Sequence, residues 1–415
     1  MTTIIETQVE RHIIKRNNKL YKFLDDLCFK SKNLYNHANY ILRNEFIKNK
    51  NFINYCKLDK MLKGDTQYPD YREQPTAQCA QQTLRTLCKN WKSFFASIKD
   101  WKKNPTKYKN KPNLPNYLHK NKGRFPVIFT NQNCKIVNNF IKFPKTLKGF
   151  TVQTKVTNNL QQVRITHKRF CIVIDVIYKI EREVLQIDKN RVISIDIGLD
   201  NLVAIGNNCG LRSFLINGKG LKSINQYYNK KVAHFISVLE RVQHMKTSNR
   251  LKKLQFKRFT KITDKLHKIS RYIVNYCIQN NIGQIIIGKN NGWKQNINLG
   301  SKTNQNFVSI SFYKFLQMIE YKATLNGISV TFVNEAYTSG TSFLDNEIPD
   351  KANYNKVRRK HRGLFVTNTG KYINADINAA YQILCKTLKV SRDFLSQQSD
   401  YRVEGLVLNP FMVTL

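Results

Sequence analysis

The sequence predicts an α/β domain toward the C-terminus, preceded by a β-domain that a helical insertion interrupts. Three observations predict this. Residues 191–388 carry apolar runs and helical periods in the order β-β-β-α-β-α-β-α. Residues 125–180 read as closely spaced strands, and residues 18–103 repeat their apolar positions at helical spacing. At 415 residues the chain is long enough for two or three domains with cores of their own.

Each element follows from local pattern. Ile4 to Ile14 alternates in part and reads as a strand. Leu20, Phe23, Leu24 and Leu27, then Leu34, Tyr35, Ala38 and Ile41, recur at helical spacing. A second helix spans about Thr76 to Ile98, with Ala80, Leu84, Leu87, Trp91 and Phe94 on its apolar side. Pro105, Pro112 and Pro115 break the chain into a basic loop. Strand signals follow at 126–129, 140–143, 162–166 and 170–178. The plainest arrangement is one β-domain, residues 1–15 and 106–188, split by a helical insertion at 16–105.

From Arg191 the period changes. Strands at 191–197, 201–206 and 211–216 suggest a meander. A long basic helix is expected from Leu221 to Asn280, then a strand at Gly283–Gly288, a helix at Phe307–Asn326 and a strand at Ile328–Asn334. An irregular basic segment, 338–372, precedes a helix from Asn374 to Leu388. This is the element order of an RNase H-like fold, assigned to 189–337 and 373–389 with 338–372 as an insert. The tail, 390–415, carries no clear pattern.

Charge narrows the function. The chain has 70 Lys+Arg against 27 Asp+Glu, a net charge of +43. A polyanion neutralises such a surplus, and an extended duplex or folded RNA fits best. No apolar run approaches the ~20 residues of a membrane span, so a membrane partner is not expected. Nine cysteines, none in a C-x-x-C pair, read as reduced core thiols; neither a disulfide framework nor a zinc site is expected. The N-terminus has no basic region followed by an apolar stretch, so secretion is not expected.

Three acidic segments stand out against that basic background. Val192-Ile193-Ser194-Ile195-Asp196 and Thr331-Phe332-Val333-Asn334-Glu335 each end an apolar strand with an acid, and Asp376 opens a helix. Convergent carboxylates are hard oxygen ligands for Mg²⁺ beside a phosphate. In an RNase H-like sheet the first strand is central, with the fourth and fifth successively beside it. Strands lie about 4.8 Å apart, so a carboxylate ending the fourth strand would adjoin Asp196. That position is Gly288, which has no side chain. Glu335, one strand further out, could reach back over it. Each acid also has a simpler reading: a turn residue for Asp196, a surface acid for Glu335, a helix-dipole acid for Asp376. Asp200, Asp345, Glu347 and Asp350 read as solvated.

These segments resemble the TnpB family, transposon-encoded RNA-guided nucleases related to type V CRISPR effectors. Residues 195–204 (Ile-Asp-Ile-Gly-Leu-Asp-Asn-Leu-Val-Ala) resemble the first RuvC motif, and residues 374–380 (Asn-Ala-Asp-Ile-Asn-Ala-Ala) the third. Residues 286–295 and 334–339 are similar to a branch whose second-motif glutamate is relocated, and the basic run 264–271 also fits. The likeness covers 191–385 well, and 1–190 by layout as a wedge-like β-barrel domain with a helical insert.

The resemblance implies an RNA-guided DNA endonuclease in which Asp196, Glu335 and Asp376 hold two Mg²⁺ and cut DNA paired with a guide RNA. Relatives usually carry zinc-binding cysteines after Tyr-Thr-Ser. Here 337–347 has none, so the insert is expected to lack zinc and to be held by packing of Phe343 and Leu344. The location implied is cytoplasmic and nucleoid-associated in a prokaryote, nuclear in a eukaryote or virus.

Candidate nucleic-acid contacts come from the basic helix and the insert. They are Lys219, Lys222, Lys230, Lys231, Arg250, Lys253, Lys257, Arg258, Lys265, Lys268, Arg271, Arg358, Arg359 and Arg362. Tyr71, Gln78 and Gln82 are candidates for reading a target-adjacent motif, with a polar loop and a solvated helix face as the alternative. Three rival functions remain: an RNA-guided DNA-binding protein without cleavage, a transposase acting on transposon ends without RNA, and a structural RNA-binding protein, which would need the acidic constellation to be accidental.

Overall fold

The computed structural model describes residues 3–147, 149–168, 170–245, 247–289, 311–361, 363–389, 393 and 407–415. The chain forms two compact units, one of residues 5–181 and one of residues 182–415 with the first four residues.

In the first unit, strand β1 (Thr3–Lys15) joins the later strands, as expected. The four-stranded sheet has the order β1-β7-β6-β2, where β2 is Val127–Thr130, β6 Leu160–His167 and β7 Cys171–Glu183. Strands β3 (Lys135–Val137), β4 (Phe140–Lys142) and β5 (Thr151–Gln153) make a second, three-stranded sheet. Both sheets feed one core, with Phe129, Val163, Ile165 and Ile174 from the first and Ile141 and Val152 from the second. Helix α1 (Tyr21–Asn49) adds Leu24, Leu27 and Cys28 to that core.

Further along α1, Leu34, Tyr35, Ala38 and Leu42 keep the same period and meet α2 (Tyr55–Gly64) and α3 (Ala77–Lys103) in a second core. Trp91 is fully buried there, and its indole N–H donates to Asn39 Oδ1 at 3.0 Å. Asn54 and Thr76 cap α2 and α3 by accepting from Lys57 and Cys79 backbone N–H.

The second unit is built on a six-stranded sheet of order β12-β11-β8-β9-β10-β15. Its central strand, β8 (Val192–Ile197), pairs antiparallel with β9 (Asn201–Asn207), which pairs antiparallel with β10 (Phe214–Asn217). On the other side β8 pairs parallel with β11 (Gln284–Gly288), and β11 parallel with β12 (Ser329–Val333). The expected placement of the first, fourth and fifth strands therefore holds. The sequence pattern gave no hint of β15 (Phe411–Val413), which extends the sheet parallel to β10.

The two-residue period of β8 sorts its faces. Ile193, Ile195 and Ile197 face one core, formed with α5 (Asn249–Gln279) and α6 (Phe312–Thr324). Val192, Ser194 and Asp196 alternate to the other face, where Val192 joins the core formed with α7 (Ala375–Leu388). Ser194 Oγ donates to the Ala380 carbonyl of α7 at 2.6 Å. A Cβ on Gly206 would meet the Tyr381 ring at 3.1 Å, so the glycine lets α7 lie close against β9.

Two expectations need correction. The basic stretch 221–280 is two helices, α4 (Lys219–Gln243) and α5. The chain turns at His244, whose φ of 49° ends α4, and Ser248 caps α5 by accepting from Leu251 N–H. The insert is not wholly irregular, since β13 (Leu364–Val366) and β14 (Tyr372–Asn374) form a hairpin. The expected helix start at 307–310 and most of the tail lie outside the described residues. Among the described residues no helix is long and apolar enough to cross a membrane.

Candidate active site

The second unit contains a cleft of about 720 Å³ whose lining includes Asp196, Asn201, Glu335, Tyr337, Tyr354, Arg359 and Asp376. The three acids of the sequence analysis thus share one cleft. Asp196 comes from the end of β8. Asp376 sits in the first turn of α7, where Asn374 caps the helix by accepting from Asp376 and Ile377 N–H. Negative charge is favoured there by the helix dipole. Glu335 lies two residues beyond β12, in a turn closed by Thr338, whose Oγ1 donates to the Glu335 carbonyl at 2.8 Å. Tyr337 completes that turn with a φ of 71°, a left-handed conformation costly for a bulky residue.

The relation between Glu335 and Gly288 is the informative one. Gly288 pairs with Val333 and follows Ile287, which pairs with Ile195, so it stands level with Asp196. A Cβ built on Gly288 would lie 2.8 Å from Glu335 Oε2 and 3.2 Å from Glu335 Cβ. The glutamate therefore folds back over the bare backbone of the neighbouring strand, into the space a side chain at 288 would fill.

The acids are electrostatically coupled. Burial raises the Asp196 pKa well above the ordinary carboxylate range, and Asp376 and Glu335 raise it further. Arg359 opposes them. Its Nη2 donates to Asp376 Oδ1 at 3.2 Å, and Asn201 Nδ2 donates to Asp376 Oδ2 at 2.8 Å. Asn201, at the start of β9, carried no signal in the sequence as a site residue.

Among the described residues no three His, Cys, Asp or Glu side chains stand close enough to hold one ion. Both oxygens of Asp376 are engaged, one by Arg359 and one by Asn201. The donor set still fits magnesium. It offers hard carboxylate oxygens on one cleft, and a divalent cation would relieve the repulsion that lifts Asp196.

The other candidates divide. Arg358 is turned inward: its Nη1 donates to Glu347 at 2.6 Å and its Nη2 to Asp345, and the side chain is 11% exposed. It is not available to nucleic acid, and Asp345 and Glu347 are its partners rather than solvated acids. Lys222 pairs with Asp200, Lys268 with Asp264, Arg258 with Asn225 and Lys265 with the Leu415 carbonyl. Lys230, Lys231, Arg250, Lys253 and Lys257 are exposed along α4 and α5, as are Lys219 and Arg271.

Tyr71 is 5% exposed and donates to Asp59 Oδ1, so it reads no base edge. Gln78 bonds Gln132 and Thr130, and Gln82 stays half-buried. Arg362 and residues 290–295 lie outside the described residues. Phe343 and Leu344 are buried, as expected of the insert. Asn378 turns away from the acids and binds the insert, donating to the Thr341 carbonyl and accepting from Phe343 N–H.

Comparison with known proteins adds kinship. A family model described as Probable transposase (OrfB_IS605) matches residues 175–294, and one described as Cas12f1-like, TNB domain matches residues 312–383. The fold is similar to that in the Cas12f1–sgRNA–target DNA complex, with a TM-score of 0.58 at 14% identity over 88% of this chain and 82% of that one. Two further matches are the CRISPR-Cas12f ternary complex (TM-score 0.39, 14% identity, 87% and 80% coverage) and Alicyclobacillus acidoterrestris C2c1 with single-guide RNA (0.38, 9%, 93% and 68%). No curated protein sequence matches the chain.

Proposed function

We propose, from the premise that this chain is a member of the TnpB family, that it is an RNA-guided DNA endonuclease cutting by magnesium-dependent phosphodiester hydrolysis. The observation that carries the reading is Glu335 lying over Gly288. It supplies the third carboxylate from the next strand, in the cleft with Asp196 and Asp376. The sheet order supports an RNase H-like nuclease domain of residues 189–337 and 373–389, with 338–372 inserted. Two small sheets on one core support a wedge-like β-barrel domain of 1–15 and 106–188, with 16–105 as its helical insertion. A guide RNA and double-stranded target DNA are the partners, supported by the kinship and by the net charge of +43.

Magnesium held by Asp196, Glu335 and Asp376 would supply a polarised phosphate and an activated water. The chain's own residues prepare the site. Asn201 fixes the orientation of Asp376 through its Oδ2. Arg359 brings a cation to the cleft, where it can meet a phosphate oxygen. Tyr337 and Tyr354, 5.8 Å apart in edge-to-face contact, line the same cleft. The exposed lysines and arginines of α4 and α5 suit the sequence-blind grip on a phosphate backbone.

A second reading, guided binding without cutting, is favoured by one observation: both oxygens of Asp376 are engaged, by Arg359 and Asn201. Supercoiled plasmid bearing a guide-matched target separates the two. Linear or nicked product in Mg²⁺ supports the endonuclease. Intact plasmid under conditions of tight, guide-dependent binding overturns it. Absence of RNA from protein co-expressed with its flanking locus would count against both and for a transposase.

A further inference from the structure

Two adjacent arginines in the insert turn to different partners. Arg358 points into the insert, and each of its three nitrogens is engaged. Nη1 donates to Glu347 Oε1 at 2.6 Å, Nη2 to Asp345, and Nε to the Val366 carbonyl at 3.0 Å. The guanidinium also lies 4.9 Å from the centre of the buried Phe365 ring. The two acids are braced in turn. Asn368 donates from its backbone to Asp345 at 2.8 Å and from Nδ2 to Glu347 at 3.1 Å. Ser342 N–H donates to Glu347 Oε2 at 2.6 Å.

This clamp is tied to the helix that begins with a site acid. Gln382 on α7 donates to the Glu347 carbonyl at 3.0 Å, and Asn378 on the same helix holds Thr341 and Phe343. Arg359, the residue after the clamped arginine, reaches Asp376 Oδ1 at 3.2 Å. That contact is 35% exposed on the arginine side. A partly exposed ion pair holds a long flexible side chain only weakly by itself. Its geometry here depends on a backbone already fixed one residue earlier.

We propose that Arg358 is a positioning residue: its clamp on Asp345 and Glu347 aims Arg359 at Asp376, so that Arg359 competes with divalent cations for that carboxylate. The proposal rests on the reading of Asp376 as a metal ligand. Arg359 then acts as a resident counter-ion that must yield before Asp376 can join Asp196 and Glu335. The arrangement accounts for three acids that share a cleft without converging on one point.

The test is Mn²⁺ titration of the full chain, without guide or target, with melting temperature measured in parallel. Arg359→Ala is expected to raise Mn²⁺ affinity about two- to five-fold, the range of a partly exposed ion pair. Arg358→Met should raise it in the same direction. The double variant should match Arg359→Ala, because Arg358 acts only through its neighbour. Glu347→Gln keeps the shape and loosens the clamp, and should give a smaller rise; it serves if Arg358→Met does not fold.

A lowered melting temperature in the Arg358 and Glu347 variants with unchanged Mn²⁺ affinity makes the clamp merely structural and overturns the proposal. So does an Arg359→Ala protein that binds Mn²⁺ as the wild type does, or no Mn²⁺ binding by either. A shifted Mn²⁺ affinity in a protein that never cuts DNA leaves the clamp standing and removes only the endonuclease.

Discussion

A methyl group on Gly288 is the smallest perturbation that reaches the centre of the site. In Gly288→Ala the new Cβ would stand 2.5 Å from Ile383 Cδ1, 2.8 Å from Glu335 Oε2 and 3.2 Å from Glu335 Cβ. Ordinary carbon contacts are about 3.5–4.0 Å, so the two neighbours must give by roughly 1 Å. Ile383 is fully packed in the core under α7 and has little room. Glu335 borders the cleft and is the group that moves. Overpacking of this kind costs about 1–3 kcal/mol, readable in urea denaturation. A catalytic group misplaced by ~1 Å costs on the order of 10²-fold in rate, readable in single-turnover cleavage. Ile383→Val removes the tightest clash. Gly288→Ala/Ile383→Val should therefore recover stability and not rate, because the contact with Glu335 remains. A Gly288→Ala protein that cuts at the wild-type rate would refute the argument that Glu335 needs the bare strand.

Other expectations follow from the same geometry. Asp196→Asn removes the acid whose pKa is raised by burial and by two neighbouring carboxylates. Metal-free stability tied to Asp196 is lost as pH rises above the ordinary carboxylate range, so this variant should melt higher than wild type at pH 7 in EDTA while losing cleavage. Lys322 is 4% exposed, donates to the His267 carbonyl and Ser270 Oγ, and burial lowers its pKa from 10.5 to about 8. With the folded value depressed, the wild type should gain stability as pH rises from 8 toward 10.5, by at most about 1.4 kcal/mol per unit. Lys322→Met should flatten that profile in a denaturation series. Replacing exposed Arg250, Lys253 and Lys257 by alanine should weaken duplex binding for all sequences alike and lower the slope of log affinity against log salt by roughly 2–3.

Much of the site was legible because strand patterns carry spatial information. An apolar run ended by Asp196 marks a central strand, Asn374 marks a helix start, and strand spacing places Glu335 near an empty Gly288. The unreadable parts depend on contacts without a period. Arg358 looks like its basic neighbours, and its partners lie 11 and 13 residues away with no repeating pattern between them. Asn201 is one amide at a strand start, and only the folded chain shows that it meets Asp376, 175 residues on. The turn between α4 and α5 hides because basic and apolar residues keep their helical rhythm on both sides. Among the described residues, the left-handed His244 and the Ser248 cap mark the break. Tyr71 sits among polar residues in the chain, yet Asp59 and the packing of the three helices draw it inside.

The most direct measurement compares wild type with Glu335→Gln, each loaded with the guide RNA that copurifies, on one matched target in Mg²⁺. Binding is followed by gel shift and cutting by product formation. Equal binding is expected, with cleavage lowered by about 10²-fold or more in the variant. Cleavage that survives in Glu335→Gln, with binding unchanged, would contradict the claim that the carboxylate over Gly288 is part of the catalytic site.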